Sequence, residues 1–269
     1  MRTATLEVPG ARIYHEAHGS GPTLLLIAGG NGDAAGFTGL ARLLAGRYTV
    51  VAYDPRGNSR SELTEPPGPQ RIETHAEDAH LLLKEVAGEP AYVFGSSSGA
   101  LVGLDLVTRH PEQVRTLVAH EPPAVTLLPD RDHWLSFLDD VRDTYTAEGV
   151  DAAAAKFAGA MGRRPVMEPQ GELPPGVREI VERIRSNFDF FFAHEVTTFP
   201  RYEPDLAALR TAPVVLAGGV ESRDQMPCRA GAELAARLGL PVLDFPGDHV
   251  GYIPHAGAFA ERLHEVLSE

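Results

Sequence analysis

Cysteine is nearly absent from this chain of 269 residues. Cys228 stands alone, which excludes an intramolecular disulfide and fits a reducing compartment. Long apolar runs are also missing, since no stretch approaches the ~18 consecutive apolar residues of a membrane-spanning helix. The segment MRTATLEVPGARIYHEAHGS contains no apolar core of the kind found in a secretion signal. These absences predict a cytoplasmic protein without membrane contacts.

Positive charge and metal-binding motifs are scarce as well. The chain has 24 Lys and Arg against 37 Asp and Glu, and its net charge of −13 repels polyanions, so nucleic-acid binding is not expected. It has neither an H-E-x-x-H motif nor a cysteine cluster, and His75 and His80 are spaced for different faces of a helix. We therefore expect no metal and no cofactor.

Short apolar runs alternate with helical patterns along most of the chain. Residues 3–8 and 12–17 flank a Pro-Gly-Ala turn and predict a hairpin. Continuous apolar runs predict strands covered on both faces at 23–28, 48–53, 91–94, 115–120, 213–218 and 241–245. Strands that alternate with helices predict an α/β fold, with a mostly parallel central sheet covered by helices on both faces.

The alternation fails once, between Pro122 and about Pro204. This segment of about 80 residues contains only amphipathic helical patterns, and it is too long for a loop. We predict a helical cap at 122–204, inserted between two late strands of a core domain formed by 1–121 and 205–269. The aromatic run FDFFF (188–192) is a candidate lining of the pocket under this cap, or else part of the cap's own core.

Three consecutive serines occur in Gly95-Ser96-Ser97-Ser98-Gly99. Only Ser97 has glycine at both −2 and +2, which is the G-x-S-x-G pattern of a nucleophile elbow between a strand and a helix. Glycine suits both positions because the tight turn leaves no room for a Cβ. We predict Ser97 as the nucleophile and the backbone N–H of Ser98 as one donor of an oxyanion hole.

A glycine-rich loop, Gly29-Gly30-Asn31-Gly32, follows the predicted strand 23–28. Its glycines allow the backbone to approach a substrate oxygen, and the N–H of Gly30 is the predicted second oxyanion donor. The loop matches part of the dinucleotide-binding pattern G-x-G-x-x-G, but the third glycine is missing at the required spacing. A nucleotide cofactor is therefore not expected.

The turn after the predicted strand 48–53 reads DPRGNSRS. Asp54 and Arg56 carry opposite charges two residues apart, so we expect an ion pair that braces this turn. Its role would be structural.

His249 follows the last predicted strand and is the predicted general base. In G-x-S-x-G hydrolases the acid lies between the serine and the histidine in sequence. Three carboxylates follow strands that end at the same edge of the sheet: Glu121, Glu221 and Asp224. Any of them could orient the imidazole and stabilise its protonated form, so the residues alone leave the acid open. His120, at a strand end, is expected to be structural.

The motifs DPRGNSRS, GSSSGA, HPEQVRTLVAHEPP and GDHVGY, in this order, resemble the α/β-hydrolase superfamily. Within it, the SSGA elbow, the strand that ends in His-Glu and the chain length resemble the zearalenone lactonase group, cofactor-free serine hydrolases that open a fungal macrolactone. That group's acid is a glutamate after the strand that follows the elbow helix, and the resemblance therefore favours Glu121. It also implies Gly30 and Ser98 as oxyanion donors and a small apolar ester or lactone as substrate.

The resemblance does not fix the substrate. The group's pocket uses a cap tryptophan, whereas Trp134 lies near the start of the predicted cap. The same triad supports carbon–carbon bond hydrolysis and cofactor-free perhydrolysis, and a small-molecule binding protein that retains the triad is a further alternative. Epoxide hydrolases and haloalkane dehalogenases are not expected, because they have aspartate where this chain has Ser97. The sequence does not indicate the oligomeric state.

Overall fold

The structure is a computed structural model that describes residues 1–161 and 175–269. Its strands are β1 Arg2–Val8, β2 Ala11–Gly19, β3 Thr23–Ile27, β4 Thr49–Tyr53, β5 Ala91–Ser96, β6 Val114–His120, β7 Val214–Gly219 and β8 Val242–Phe245. Its α-helices are α1 Thr38–Leu44, α2 Ile72–Val86, α3 Ser98–Arg109, α4 Arg131–Glu148, α5 Val150–Ala160, α6 Pro175–His194, α7 Leu206–Leu209, α8 Met226–Leu238 and α9 Ala256–Ser268. Every predicted strand is present.

All of these strands form one sheet in the order β1-β2-β4-β3-β5-β6-β7-β8. β2 pairs antiparallel with both β1 and β4, and every pair from β4 to β8 is parallel. The carboxyl ends of the parallel strands therefore lie at one edge, where α/β proteins place their ligand sites. The predicted α/β fold class is confirmed.

Helices cover both faces of the sheet, which explains why the central strands are continuously apolar. In β3, Leu25 and Ile27 face the core layer that contains α2 and α3, while Leu24 and Leu26 face the layer that contains α1 and α9. All five residues of β3 are buried. Successive side chains of a strand point to opposite faces, so a strand with two covered faces has no polar positions.

In the described part of the chain, four α-helices lie between β6 and β7: α4, α5 and α6 fall within the predicted cap, and the short α7 follows it. Residues 122–161 and 175–204 contain no strand, and the rest of the predicted cap lies outside the described residues. Leu138 and Val141 of α4, Ala153 of α5 and Phe192 of α6 share a fully buried cluster. The helical insertion thus has a core of its own, which includes part of the FDFFF run.

The prediction of an ion pair between Asp54 and Arg56 is wrong. Arg56 instead donates to both carboxylate oxygens of Asp78 in α2, at 2.5 and 2.6 Å. Asp54 accepts from the Arg60 guanidinium at 2.7 and 2.9 Å. A turn that starts at Pro55, closed by the N–H of Asn58 donating to the Pro55 carbonyl, follows Asp54, so the two side chains reach different neighbours.

Removing the carboxylate of Asp78 should strongly destabilise the fold. Arg56 is 7% and Asp78 2% exposed, so Asp78→Ala leaves a buried guanidinium without its partner. We expect the free energy of unfolding in urea to fall by about 3–5 kcal/mol. The matched control is Asp244→Ala, which removes the exposed partner of Arg223 and should change it by at most about 1 kcal/mol. Equal effects of the two substitutions would show that burial of the pair is unimportant.

Candidate active site

The nucleophile elbow lies between β5 and α3. Ser97 follows the last residue of β5 and has φ 57° and ψ −128°, a conformation that residues other than glycine rarely adopt. Its backbone N–H donates to the carbonyl of His120 at 2.9 Å, so the elbow is tied to the end of β6. Backbone strain of this kind is concentrated at functional sites.

The two glycines of the elbow are required by close backbone contacts. A Cβ on Gly95 would lie 2.4 Å from the carbonyl oxygen of Gly99. A Cβ on Gly99 would lie 2.3 Å from the carbonyl oxygen of Ile27, at the end of β3. The G-x-S-x-G spacing therefore reflects the packing of the turn against itself and against β3.

The glycine-rich loop after β3 lies against this elbow. A Cβ on Gly29 would be 2.6 Å from the Cβ of Ser97 and 3.1 Å from the nitrogen of Ser98. Gly30 has φ 48°, and its N–H donates to the hydroxyl oxygen of Ser98 at 2.7 Å. The two predicted oxyanion donors are thus neighbours. No feature of the sequence indicated that the side chain of Ser98 would contact the Gly30 amide.

His249 and Glu121 meet at the same edge of the sheet. Nδ1 of His249, in the loop after β8, is 2.5 Å from Oε2 of Glu121, which directly follows β6. Glu121 has a φ of 49°, and among the described residues it is one of three non-glycine residues with a positive φ, the others being Ser59 and Ser97. No hydrogen bond joins Ser97 to His249 within these residues; in free enzymes this contact is often long and shortens only when substrate binds.

The other two carboxylates considered for the acid lie elsewhere. Glu221 and Asp224 are exposed, and neither is a hydrogen-bond partner of His249 in the described part of the chain. Glu121 is fully buried. Of the three candidates, the structure brings only Glu121 to the imidazole.

Further donors hold the carboxylate of Glu121. The N–H of Gly219 donates to its Oε1 at 2.8 Å, and the hydroxyl of Ser222 donates to the same oxygen. Burial raises the pKa of Glu121, but the hydrogen bond and charge of His249, with smaller contributions from His120 and Ser222, lower it below its usual value. Glu121 is therefore ionised at neutral pH. We did not predict from the sequence that Ser222 would hold the acid, although it directly follows Glu221, another candidate for the acid.

His120 lies behind this pair as a buried aromatic side chain. Its ring packs edge-on against Phe245 and Phe259, with centroids 6.0 and 5.5 Å away. Burial lowers its pKa to about 4, although the charge of Glu121 opposes this shift. The ring is therefore neutral at neutral pH, and both of its nitrogens lack a hydrogen-bond partner among the described residues. These features are those of a core side chain.

The cap contacts the glycine-rich loop directly. Asn187 of α6, which is 1% exposed, donates to the carbonyl of Asn31 at 3.1 Å and accepts the N–H of Ser59 at 2.7 Å. The ring of Phe191 would be 3.6 Å from a Cβ on Gly30. One member of the FDFFF run therefore lies beside the predicted oxyanion donor, while Phe192 packs in the cap core.

The functional groups gathered at this edge are a hydroxyl, an imidazole, a carboxylate and two backbone amides. This set serves covalent acyl transfer, in which a base activates the nucleophile and amides bind the oxyanion. Across residues 1–161 and 175–269, no three His, Cys, Asp or Glu side chains converge as metal ligands. No helix in this part of the chain is long and apolar enough to cross a bilayer.

A sequence model for the alpha/beta hydrolase fold matches residues 22–165, and the chain belongs to this family of hydrolases, as the sequence motifs predicted. It is 38% identical to the uncharacterized hydrolase YraK of Bacillus subtilis (strain 168) over 277 residues, which cover 100% of this chain and 97% of that protein.

Two further proteins are similar over the whole chain. A zearalenone hydrolase of Cladophialophora bantiana is 28% identical over 274 residues, which cover 99% of this chain and 96% of that protein. The crystal structure of the enol-lactonase from Burkholderia xenovorans LB400 matches with a TM-score of 0.74 at 21% identity, covering 99% of this chain and 100% of that chain. The structural match supports the fold.

Proposed function

We propose that the protein is a serine hydrolase that cleaves a carboxylic ester or lactone through an acyl-enzyme intermediate. Ser97 is the nucleophile, His249 the general base and Glu121 the acid that orients it. The N–H groups of Gly30 and Ser98 bind the oxyanion. The observation that carries the proposal is the 2.5 Å contact of His249 with buried Glu121, beside a serine held at φ 57°.

In the first half of the reaction, Nε2 of His249 takes the proton of the Ser97 hydroxyl as its oxygen attacks the ester carbonyl. Glu121 accepts the Nδ1–H, which fixes the tautomer and stabilises the imidazolium that forms. The carbonyl oxygen becomes an oxyanion at the N–H groups of Gly30 and Ser98. His249 then gives its proton to the leaving alkoxide, and the acyl group stays on Ser97.

In the second half, His249 takes a proton from water, whose oxygen attacks the acyl carbonyl. The second tetrahedral intermediate uses the same amides and breaks its bond to the oxygen of Ser97. His249 returns the proton to Ser97, and the carboxylic acid leaves. For a lactone, the alcohol and the acid remain in one molecule.

The class of substrate is inferred from the side chains that surround the site. The ring of Phe191 lies beside Gly30 and packs against the ring of Phe157 in the cap, with centroids 5.5 Å apart. Such surroundings suit a small apolar ester or lactone without a charged group near the reacting carbonyl. Similarity to a zearalenone hydrolase adds support for lactones as a class.

A substrate panel tests the proposal. We expect multiple turnovers with p-nitrophenyl esters and with lactones, zearalenone among them, and no turnover of 1,5-diketones that report carbon–carbon cleavage. Turnover of diketones alone would replace the proposal with carbon–carbon bond hydrolysis, and peracid formation as the main activity would indicate a perhydrolase. Binding of these compounds without turnover would indicate a hydrolase-like binding protein.

A further inference from the structure

A small cavity is lined by Gly30 and Ser98, the two residues whose amides are the predicted oxyanion donors. Its volume is about 10 Å³, which is room for about one water molecule. Ser98 and Gly30 line it together with two residues that have titratable side chains, Glu195 and His75. The remaining lining is mainly apolar and includes Ile27, Ala28, Val102 and Phe199.

Glu195 is an unusual residue for such a cavity. It directly follows α6, is 1% exposed, and neither of its carboxyl oxygens has a hydrogen-bond partner within residues 1–161 and 175–269. Burial raises its pKa to about 8, and a side-chain contact with Asn58, whose geometry falls short of a hydrogen bond, opposes this shift. The group is therefore a neutral carboxylic acid at neutral pH, with one donor and one acceptor.

His75 of α2 offers a matching acceptor. It is buried, and its Nε2 has no hydrogen-bond partner in the described part of the chain. Burial, together with the charge of Arg56, lowers its pKa to about 3, so the ring is neutral. Buried polar groups without partners are rare and call for an explanation, and here they belong to two residues that line one small cavity.

Ser98 connects the cavity to the reaction. Its hydroxyl oxygen accepts the N–H of Gly30 at 2.7 Å, and this amide is one of the two that the oxyanion requires. While the Ser98 hydroxyl oxygen accepts the Gly30 N–H, it competes with the oxyanion of the transition state for that hydrogen bond. The amide becomes fully available only when the Ser98 hydroxyl turns to another rotamer, and the cavity that Ser98 lines offers that hydroxyl new partners.

We propose, resting on the function proposed above, that Glu195 is a positioning residue of the oxyanion hole. Its carboxyl oxygen accepts the Ser98 hydroxyl, directly or through one water, when that hydroxyl leaves the Gly30 amide. Its own O–H donates to Nε2 of His75. Glu195 thereby stabilises the arrangement in which the Gly30 amide is open to the oxyanion.

Two substitutions of Glu195 test this role with a p-nitrophenyl ester as substrate. Glu195→Gln keeps a carbonyl acceptor and an N–H donor, and kcat should stay within about threefold of the wild type. Glu195→Leu removes both and should lower kcat about 10- to 100-fold, because an oxyanion donor is worth about 100- to 1,000-fold in rate. KM should change little, since ground-state binding does not use the amide.

The decisive measurement is the effect of Glu195→Leu in the Ser98→Ala background. Without the hydroxyl there is nothing for Glu195 to hold, so Glu195→Leu should change kcat by no more than about twofold there. The same 10- to 100-fold loss in both backgrounds would show a merely structural role. An unchanged kcat after Glu195→Leu in both backgrounds would also contradict the proposal.

The folding of each variant is checked by circular dichroism and by Tm. If Glu195→Leu does not fold, Glu195→Met replaces it, because methionine is unbranched and similar in length to glutamate. A wild type without ester turnover dependent on Ser97 would overturn the proposed function, and this inference with it. Turnover that depends on Ser97, together with equal Glu195 effects in both backgrounds, would overturn this inference alone.

Discussion

Replacing Ser97 with alanine is expected to lower kcat for ester substrates by about 10⁴-fold or more, because the acyl-enzyme can no longer form. The remaining rate would come from the oxyanion donors and from substrate binding. The variant should fold, since alanine has no more difficulty than serine with the φ of 57° at this turn. Steady-state kinetics with a p-nitrophenyl ester, on protein verified by circular dichroism, measures the effect.

Ser96 provides the matched control, since it is one residue away and has the same side chain. It is the last residue of β5 and is buried, and no step of the mechanism uses its hydroxyl. We expect Ser96→Ala to retain kcat within about tenfold, a loss attributable to altered packing. A Ser97→Ala variant as active as Ser96→Ala would remove Ser97 from the mechanism.

Replacing Glu121 with glutamine is expected to lower kcat by about 10⁴-fold while leaving the fold intact. The amide oxygen of the new side chain can still accept the N–H of Gly219 and the hydroxyl of Ser222. Its NH₂ group then faces Nδ1 of His249 and favours the tautomer that carries its proton on Nε2. That tautomer cannot accept the proton of Ser97, so the base is lost although its position is kept.

The control for this substitution is Glu221→Gln, which changes the same side chain at an exposed position. It should leave kcat within about twofold of the wild type, as expected of a surface change away from the site. A large loss with Glu221→Gln and a small one with Glu121→Gln would reassign the acid. Asp224→Asn tests the third carboxylate in the same way.

The fold was largely predictable because its signals are local. A buried parallel strand needs a short continuous apolar run, and each such run, from 23–28 to 241–245, became a strand with ends within two residues of the prediction. The G-x-S-x-G spacing was equally informative, since the close contacts of Gly95 and Gly99 exclude any side chain there.

The details of the site depend on contacts between distant segments, which a single sequence does not specify. Glu121 and His249 are 128 residues apart, and the residues alone left three carboxylates in competition until the family resemblance favoured one. Ser222 and Glu195 belong to no sequence motif. Their positions depend on where β7 and α6 end, since Ser222 lies three residues after β7 and Glu195 directly follows α6. The expected pair of Asp54 and Arg56 failed for the same reason, because Arg56 found its partner in α2.

Labelling the protein with a fluorophosphonate, followed by peptide mass spectrometry to identify the modified residue, tests most directly whether Ser97 is the nucleophile. This reagent phosphonylates activated serines and so reports the nucleophile without knowledge of the substrate. We expect one adduct per chain, on Ser97, that abolishes ester turnover and is absent from Ser97→Ala. No adduct on an active enzyme, or an adduct on Ser96 or Ser98, would contradict this assignment of the nucleophile.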